Sequence, residues 1–109
     1  LAHVEKSIDR IEGICNGMSF DHYLRDPIKA AATERFLEKI CEAAKYIPED
    51  QKALHPEIPW VQLRGLGNRL RHGYETIDHA IVWDIVQRDL QPLRSAILQI
   101  LERAGKSEG

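Results

Sequence analysis

The sequence has little cysteine, no long apolar run and almost no net charge, and each shortage argues against a class of protein. Its two cysteines, Cys15 and Cys41, have neither a CxxC nor a metal-ligand spacing, which indicates two buried thiols in a reducing compartment. The apolar runs are far shorter than a membrane span, and no signal peptide is recognisable. We therefore expect a cytoplasmic protein with no membrane segment and no bound metal.

The balance of charge limits the partners that the chain can attract. The formal net charge is −2, so a general attraction to polyanions is not expected. Contact with nucleic acid would have to depend on a local concentration of positive charge. A hydrophobic content of 43% and a charged content of 29% are typical of a soluble globular domain, and 109 residues suffice for one domain with one core.

Apolar residues recur at helical spacing along the chain, and no strand signal, repeat or low-complexity segment interrupts them. The pattern predicts a first helix over residues 1–18 and then a short turn capped by Ser19. A long helix is predicted over residues 27–47, starting at the cap and first-turn proline of Asp26-Pro27. A polar connection rich in proline follows it. The sequence is therefore that of an all-α protein.

The second half of the chain continues the helical pattern. Asp78 is expected to cap one helix, and Pro92 predicts either a kink or a new helix that starts at Asp89. Residues 1–104 are interpreted as a single domain, and residues 105–109 as a frayed C-terminal tail. The predicted architecture is an up-and-down bundle of four to five main helices.

The stretch from Pro59 to Tyr74 combines an apolar helical stripe with three arginines and a histidine. The stripe consists of Trp60, Leu63, Leu66, Leu70 and Tyr74. A histidine and an arginine are the smallest set of side chains with which a protein can cleave RNA without a metal. The imidazole moves a proton to or from the 2′-hydroxyl or the leaving oxygen, and a guanidinium stabilises the charge at phosphorus. Taken alone the signal is weak, because such a histidine is most often solvated or capping.

Several blocks in a fixed order resemble the HepT-like family of HEPN-domain toxins, which are ribonucleases paired with small nucleotidyltransferase antitoxins. The blocks are Cys41–Lys45 (where the family usually has Gly-Glu-Ala-Ala), Pro56–Trp60, Asn68–Tyr74, Ile81–Trp83 and Asp89–Leu93. The resemblance implies an HEPN-like bundle, a symmetric homodimer with a shared cleft, and an RNA substrate cleaved without a metal or other cofactor. It also implies a cognate minimal nucleotidyltransferase antitoxin as partner.

The family pattern is an arginine, four residues, a histidine, one residue and a tyrosine. By resemblance, His72 is the catalytic histidine and Asn68 is the polar residue that follows the arginine. Tyr74 corresponds to the tyrosine that the antitoxin modifies with AMP. Gly67 stands where the family has its catalytic arginine, so the sequence predicts slow cleavage or none.

The other arginines of the stretch are candidate RNA contacts. Arg64 and Arg71 lie one turn to either side of Gly67 on its stripe, and either could partly replace the missing guanidinium; Arg69 is expected to contact RNA or solvent. A helix-interior glycine costs about 1 kcal/mol against alanine, so packing gives little reason for Gly67. The exchange Gly67→Arg is therefore expected to restore cleavage.

Two functional interpretations remain open from the sequence. One is a metal-independent endoribonuclease toxin. The other is a catalytically silent helical module that binds a nucleotidyltransferase or a nucleotide.

For Glu42, in the first family-like block, the expectation is a solvated helix face or a hydrogen bond that holds the bundle together.

Overall fold

A computed structural model describes residues 2–72 and 77–108. These residues form seven helices and no strand, in the order α1 (Ala2–Cys15), α2 (Phe20–Arg25), α3 (Pro27–Ala44), α4 (Glu49–Ala53), α5 (Trp60–Arg71), α6 (His79–Arg88) and α7 (Leu90–Glu108). Helices α2 and α4 have only six and five residues, which leaves five main helices. The predicted all-α class and the number of main helices are confirmed.

The helices begin where the sequence places its start signals. Ser19, Asp26 and Asp78 each accept a hydrogen bond from a backbone N–H two or three residues further on, as N-cap residues do. Asp89 separates α6 from α7, so the chain makes a new start there rather than a kink. Pro92 lies in the first turn of α7. Backbone N–H groups in the first turn have no acceptor within the helix, so the N–H that proline lacks is not needed there.

Several elements differ from the prediction, among them α3, which ends at Ala44 and not at residue 47. Helix α1 ends at Cys15, before Gly17, whose φ of 73° lies in the left-handed region that favours glycine. The predicted polar connection contains the short helix α4, with Glu49 and Asp50 in the first turn, where the helix dipole favours negative charge. Helix α7 includes residues 105–108, for which the sequence predicts a frayed tail.

Helix α3 lies at the centre of the bundle and contacts α1, α2 and α5, while α7 packs on α1 and α6. The core residues buried most completely include Ile8, Ile11, Leu37, Ile40, Leu63, Ile85, Leu93 and Ile97. The first helix therefore buries its apolar stripe against the long third helix and the last helix. None of the described helices is both long and apolar enough to cross a membrane.

Both cysteines are free and buried, as predicted. The Cys15 thiol lies 3.6 Å from the Thr33 hydroxyl, and burial raises its pKa above the usual value. Burial raises the pKa of the Cys41 thiol from 9.0 to about 12. The folded protein therefore keeps the proton on Cys41 at pH values where the unfolded chain loses it.

That difference predicts a loss of stability in alkaline solution. Between pH 9.0 and about 12 the unfolded state binds fewer protons at Cys41 than the folded state, so the free energy of unfolding falls as pH rises through this range. Urea unfolding followed by circular dichroism at several pH values measures the slope. A Cys41→Ala variant is the control and should show a shallower slope. Equal slopes for the two proteins would contradict the assignment to Cys41.

Candidate functional site

Helix α5 carries the predicted site, and its two sides have different environments. Its buried residues are Leu63, Leu66, Gly67 and Leu70. Its exposed residues near the C-terminal end are Asn68, Arg69 and Arg71, and the exposed His72 follows them. The polar residues singled out from the sequence therefore gather at the solvent-facing end of α5, with Gly67 as the exception.

His72 is the C-cap residue of α5. Its backbone N–H donates a hydrogen bond of 3.3 Å to the carbonyl of Asn68, and its φ of −81° and ψ of −4° keep the chain near helical geometry. Asn68 and His72 therefore remain neighbours four residues apart on one exposed surface. Tyr74, the predicted site of AMP modification, lies outside the described residues, as does Gly73.

Gly67 faces the neighbouring helix and not the solvent. A Cβ atom built on Gly67 would lie 2.6 Å from the Cβ of Cys41 on α3, and 3.8 Å from its Cα. Real Cβ atoms do not approach that closely, so any side chain here would push α3 and α5 apart. The expectation that packing gives little reason for this glycine is wrong: Gly67 is what allows the two helices to pack so closely.

Arg71 is connected to α3 through a carboxylate. Its Nη2 donates a hydrogen bond to Oε2 of Glu42, and Nζ of Lys45 lies 3.2 Å from the same oxygen. The side chains of Arg71 and Glu42 are 43% and 42% exposed, so both are held at the surface without being covered. Of the two expectations for Glu42, the structure therefore shows the bond between helices.

A small cleft of about 60 Å³ opens next to this ion pair. It is lined by Cys41, Ala44, Lys45, Glu49, Lys52, Trp60, Val61 and Arg64. Three of the lining residues are cationic and one is anionic, so the cleft is locally positive although the chain is not. Lys45 belongs to the cleft and to the Glu42 contact, and it joins the cleft to the C-terminal end of α5. No local pattern in the sequence points to Lys45 and Lys52, because their convergence with Arg64 arises only on folding.

A buried polar cluster fixes the segment in front of α5. The His55 side chain, in a residue only 4% exposed, lies between Glu57, 3.4 Å from Nδ1, and Arg103, 2.8 Å from Nε2. Because a guanidinium can only donate, Nε2 must accept and Nδ1 must carry the proton. Arg103 also donates to Gln51 at 2.7 Å. The indole N–H of Trp60 donates to the carbonyl of His55 at 3.1 Å, so this cluster places the start of α5.

A second cluster attaches α6 to α3. The Tyr23 hydroxyl donates to Oε2 of Glu34 at 2.8 Å, and Nδ1 of His79 lies 3.0 Å from the same oxygen. Burial, with Glu34 beside it, raises the pKa of Tyr23 above the usual range, so this hydroxyl remains a donor. The ring of Trp83 packs 5.4 Å from that of Tyr23, so Trp83 is a packing residue between α6 and α2. In residues 2–72 and 77–108, no three His, Cys, Asp or Glu residues form a group that could hold a metal ion.

The bundle and the polar C-terminal end of α5 define an all-α protein of the HEPN-like class. The chain belongs to the ribonuclease HepT-like family, whose model matches residues 4–100. It is 36% identical over 94 residues to "Probable ribonuclease HepT" of Thermococcus cleftensis, covering 86% of each chain. It is 30% identical over 103 residues to a protein of Caldanaerobacter subterraneus named "Putative RNase", covering 94% of this chain and 88% of the relative. No solved structure matches the chain significantly.

Proposed function

We propose that the protein is a metal-independent endoribonuclease in which His72 transfers the proton. As a base, the imidazole takes the proton from the 2′-hydroxyl while that oxygen attacks phosphorus, and the 5′-oxygen leaves with a proton delivered by an acid. The observation that carries the proposal is the position of His72, exposed at the end of α5 beside Asn68 and Arg71. Membership of a ribonuclease family supports the same reaction.

The basic cleft provides a path for the RNA backbone. Lys52, Arg64 and Lys45 lead from the cleft towards Arg71, and two carboxylates, those of Glu42 and Glu49, lie among these four cations. Cations therefore outnumber carboxylates along this path, although the formal net charge of the whole chain is −2. Such local charge attracts phosphates at low ionic strength and does so less as salt is added.

Arg69 is the other proposed RNA contact. It is exposed in the last turn of α5, where positive side chains also suit the helix dipole. It stands on the side of the helix away from the buried Gly67 and Leu70, so it would reach RNA from outside the cleft.

The proposed biological role is that of a cytoplasmic toxin held in check by a minimal nucleotidyltransferase antitoxin. We propose a symmetric homodimer, because pairing two copies doubles the positive charge available to one RNA. An AMP group on Tyr74, two residues from His72, would add bulk and negative charge where RNA must bind. The competing proposal is a catalytically silent helical module that only binds the nucleotidyltransferase.

The test of the proposed function is cleavage of a labelled single-stranded RNA by the purified protein in the presence of EDTA. We expect products that end in a 2′,3′-cyclic phosphate, because the attacking oxygen is the neighbouring 2′-hydroxyl. Co-expression of the nucleotidyltransferase should suppress both the cleavage and the growth inhibition. Binding of RNA or of the nucleotidyltransferase without any cleavage would favour the silent module.

A further inference from the structure

We propose that Arg71 supplies the guanidinium that stabilises the transition state, and that Glu42 positions it. The proposal rests on the ribonuclease function proposed above. It follows from a conflict at position 67, where the expected arginine is replaced by a glycine whose site has no room for a side chain. A guanidinium at this site must therefore come from another position.

Helical geometry distinguishes the three arginines of α5. At 100° per residue, Arg71 points about 40° away from the direction of Gly67, one turn further along. Arg69 points about 160° away, to the outer side of the bundle. Arg64 lies on the same side as Arg71 but about 12 Å along the axis from His72, at 1.5 Å per residue. Arg71 is therefore the arginine that points to nearly the same side of α5 as Gly67 and also lies next to His72.

Arg71 also shares its surroundings with the other two site residues. It follows Asn68 by three residues, and His72 follows Asn68 by four, so Asn68 is a surface neighbour of both. All three are exposed at the same end of α5. An amide, a guanidinium and an imidazole can therefore contact a single phosphodiester.

Glu42 orients Arg71 and occupies only part of the hydrogen-bond donors of its guanidinium. A guanidinium carries five N–H donors on three nitrogens, and the bond to Glu42 is made through Nη2. Lys45 shares the carboxylate, so the three side chains together keep one positive charge. The carboxylate therefore restricts the long arginine side chain to the surface between α3 and α5, while other donors of the fork can reach a phosphate.

Removing Arg71 should lower kcat more than it raises KM. We expect Arg71→Ala to cleave RNA about 100- to 1,000-fold more slowly, as for the loss of one donor to a transition-state anion. Added guanidinium ion, at concentrations below those that unfold the protein, should restore part of the rate to Arg71→Ala and none to His72→Ala. Glu42→Gln should lower kcat about fivefold, which corresponds to the loss of a partly exposed ion pair, and should lower the melting temperature only slightly.

The matched control is Arg88→Ala. Arg88 is also an exposed arginine in the last turn of its helix and also pairs with a carboxylate, that of Asp84. It lies outside the site, so this variant should cleave at the rate of the unaltered protein. If Arg71→Ala does not fold, Arg71→Lys is the variant that tests the role of the guanidinium. Lysine keeps the positive charge and the contact to Glu42 but lacks the planar fork of N–H donors, so this variant should also cleave more slowly.

The outcomes separate this proposal from the function it rests on. If Arg71→Ala or Arg71→Lys cleaves at the full rate while His72→Ala is inactive, the role of Arg71 is overturned and the ribonuclease stands. A loss of rate in Arg71→Ala that guanidinium does not restore, together with a lowered melting temperature, would assign Arg71 a structural role only and overturn the proposal. If the unaltered chain cleaves no RNA, the proposed function itself fails, and the role of Arg71 fails with it.

Discussion

The exchange Gly67→Arg is expected to destabilise the protein by about 3 kcal/mol or more instead of restoring a catalytic group. Overpacking a tight contact between helices typically costs about 1–3 kcal/mol, and here a long charged side chain would also start inside the bundle. The collision is with the Cβ of Cys41, close to the backbone of α3, so a change of rotamer cannot relieve it. Urea unfolding monitored by circular dichroism measures the effect.

The neighbouring glycine of α5 provides the control. A Cβ on Gly65 would meet nothing within 4 Å, so Gly65→Arg should be neutral or slightly stabilising, because arginine is a better helix former than glycine. In Gly67→Arg, the further exchange Cys41→Gly removes the atom that collides and should recover most of the lost stability. Equal unfolding midpoints for Gly65→Arg and Gly67→Arg would show that the contact between α3 and α5 is less tight than the structure indicates.

The exchange His72→Ala should lower the rate of RNA cleavage by about 100- to 10,000-fold, the usual contribution of a general acid or base. Alanine retains the backbone N–H with which residue 72 bonds to the Asn68 carbonyl at the end of α5, so any change in stability is a separate effect of losing the side chain. Single-turnover cleavage of a labelled RNA, alongside a thermal melt, separates the two effects.

The control for this exchange is His22→Ala. His22 is exposed on α2, and its ring lies 3.8 Å from the carboxylate of Asp26, so it is another surface histidine beside a charged partner. This variant should keep the full rate. Cleavage by His72→Ala within a factor of a few of the unaltered protein would remove His72 from the mechanism.

Local signals in the sequence were sufficient to predict the helices and most of their starts. Ser19, Asp26 and Asp78 cap helices with their own side chains, a property of a few consecutive residues. The short helix α4 was missed because five residues carry too little apolar periodicity to be distinguished from a connection.

The chemistry of the site depends on contacts that no local pattern contains. The Gly67 contact with Cys41 and the Arg71 contact with Glu42 each join residues more than two dozen positions apart. Sequence periodicity showed which side of α5 these residues share, but not which helix lies against that side. From the sequence alone, a glycine in mid-helix therefore indicates a lost catalytic residue, whereas the fold also gives it a packing role.

The close approach of α3 and α5 also restricts the order in which this protein could acquire an arginine at position 67. With Cys41 in place, the exchange at Gly67 is expected to cost about 3 kcal/mol or more of stability before any catalytic advantage is gained. With glycine first at position 41, the same exchange has room. The two positions therefore form an ordered mutational path, in which a change on one helix must precede the change on the other.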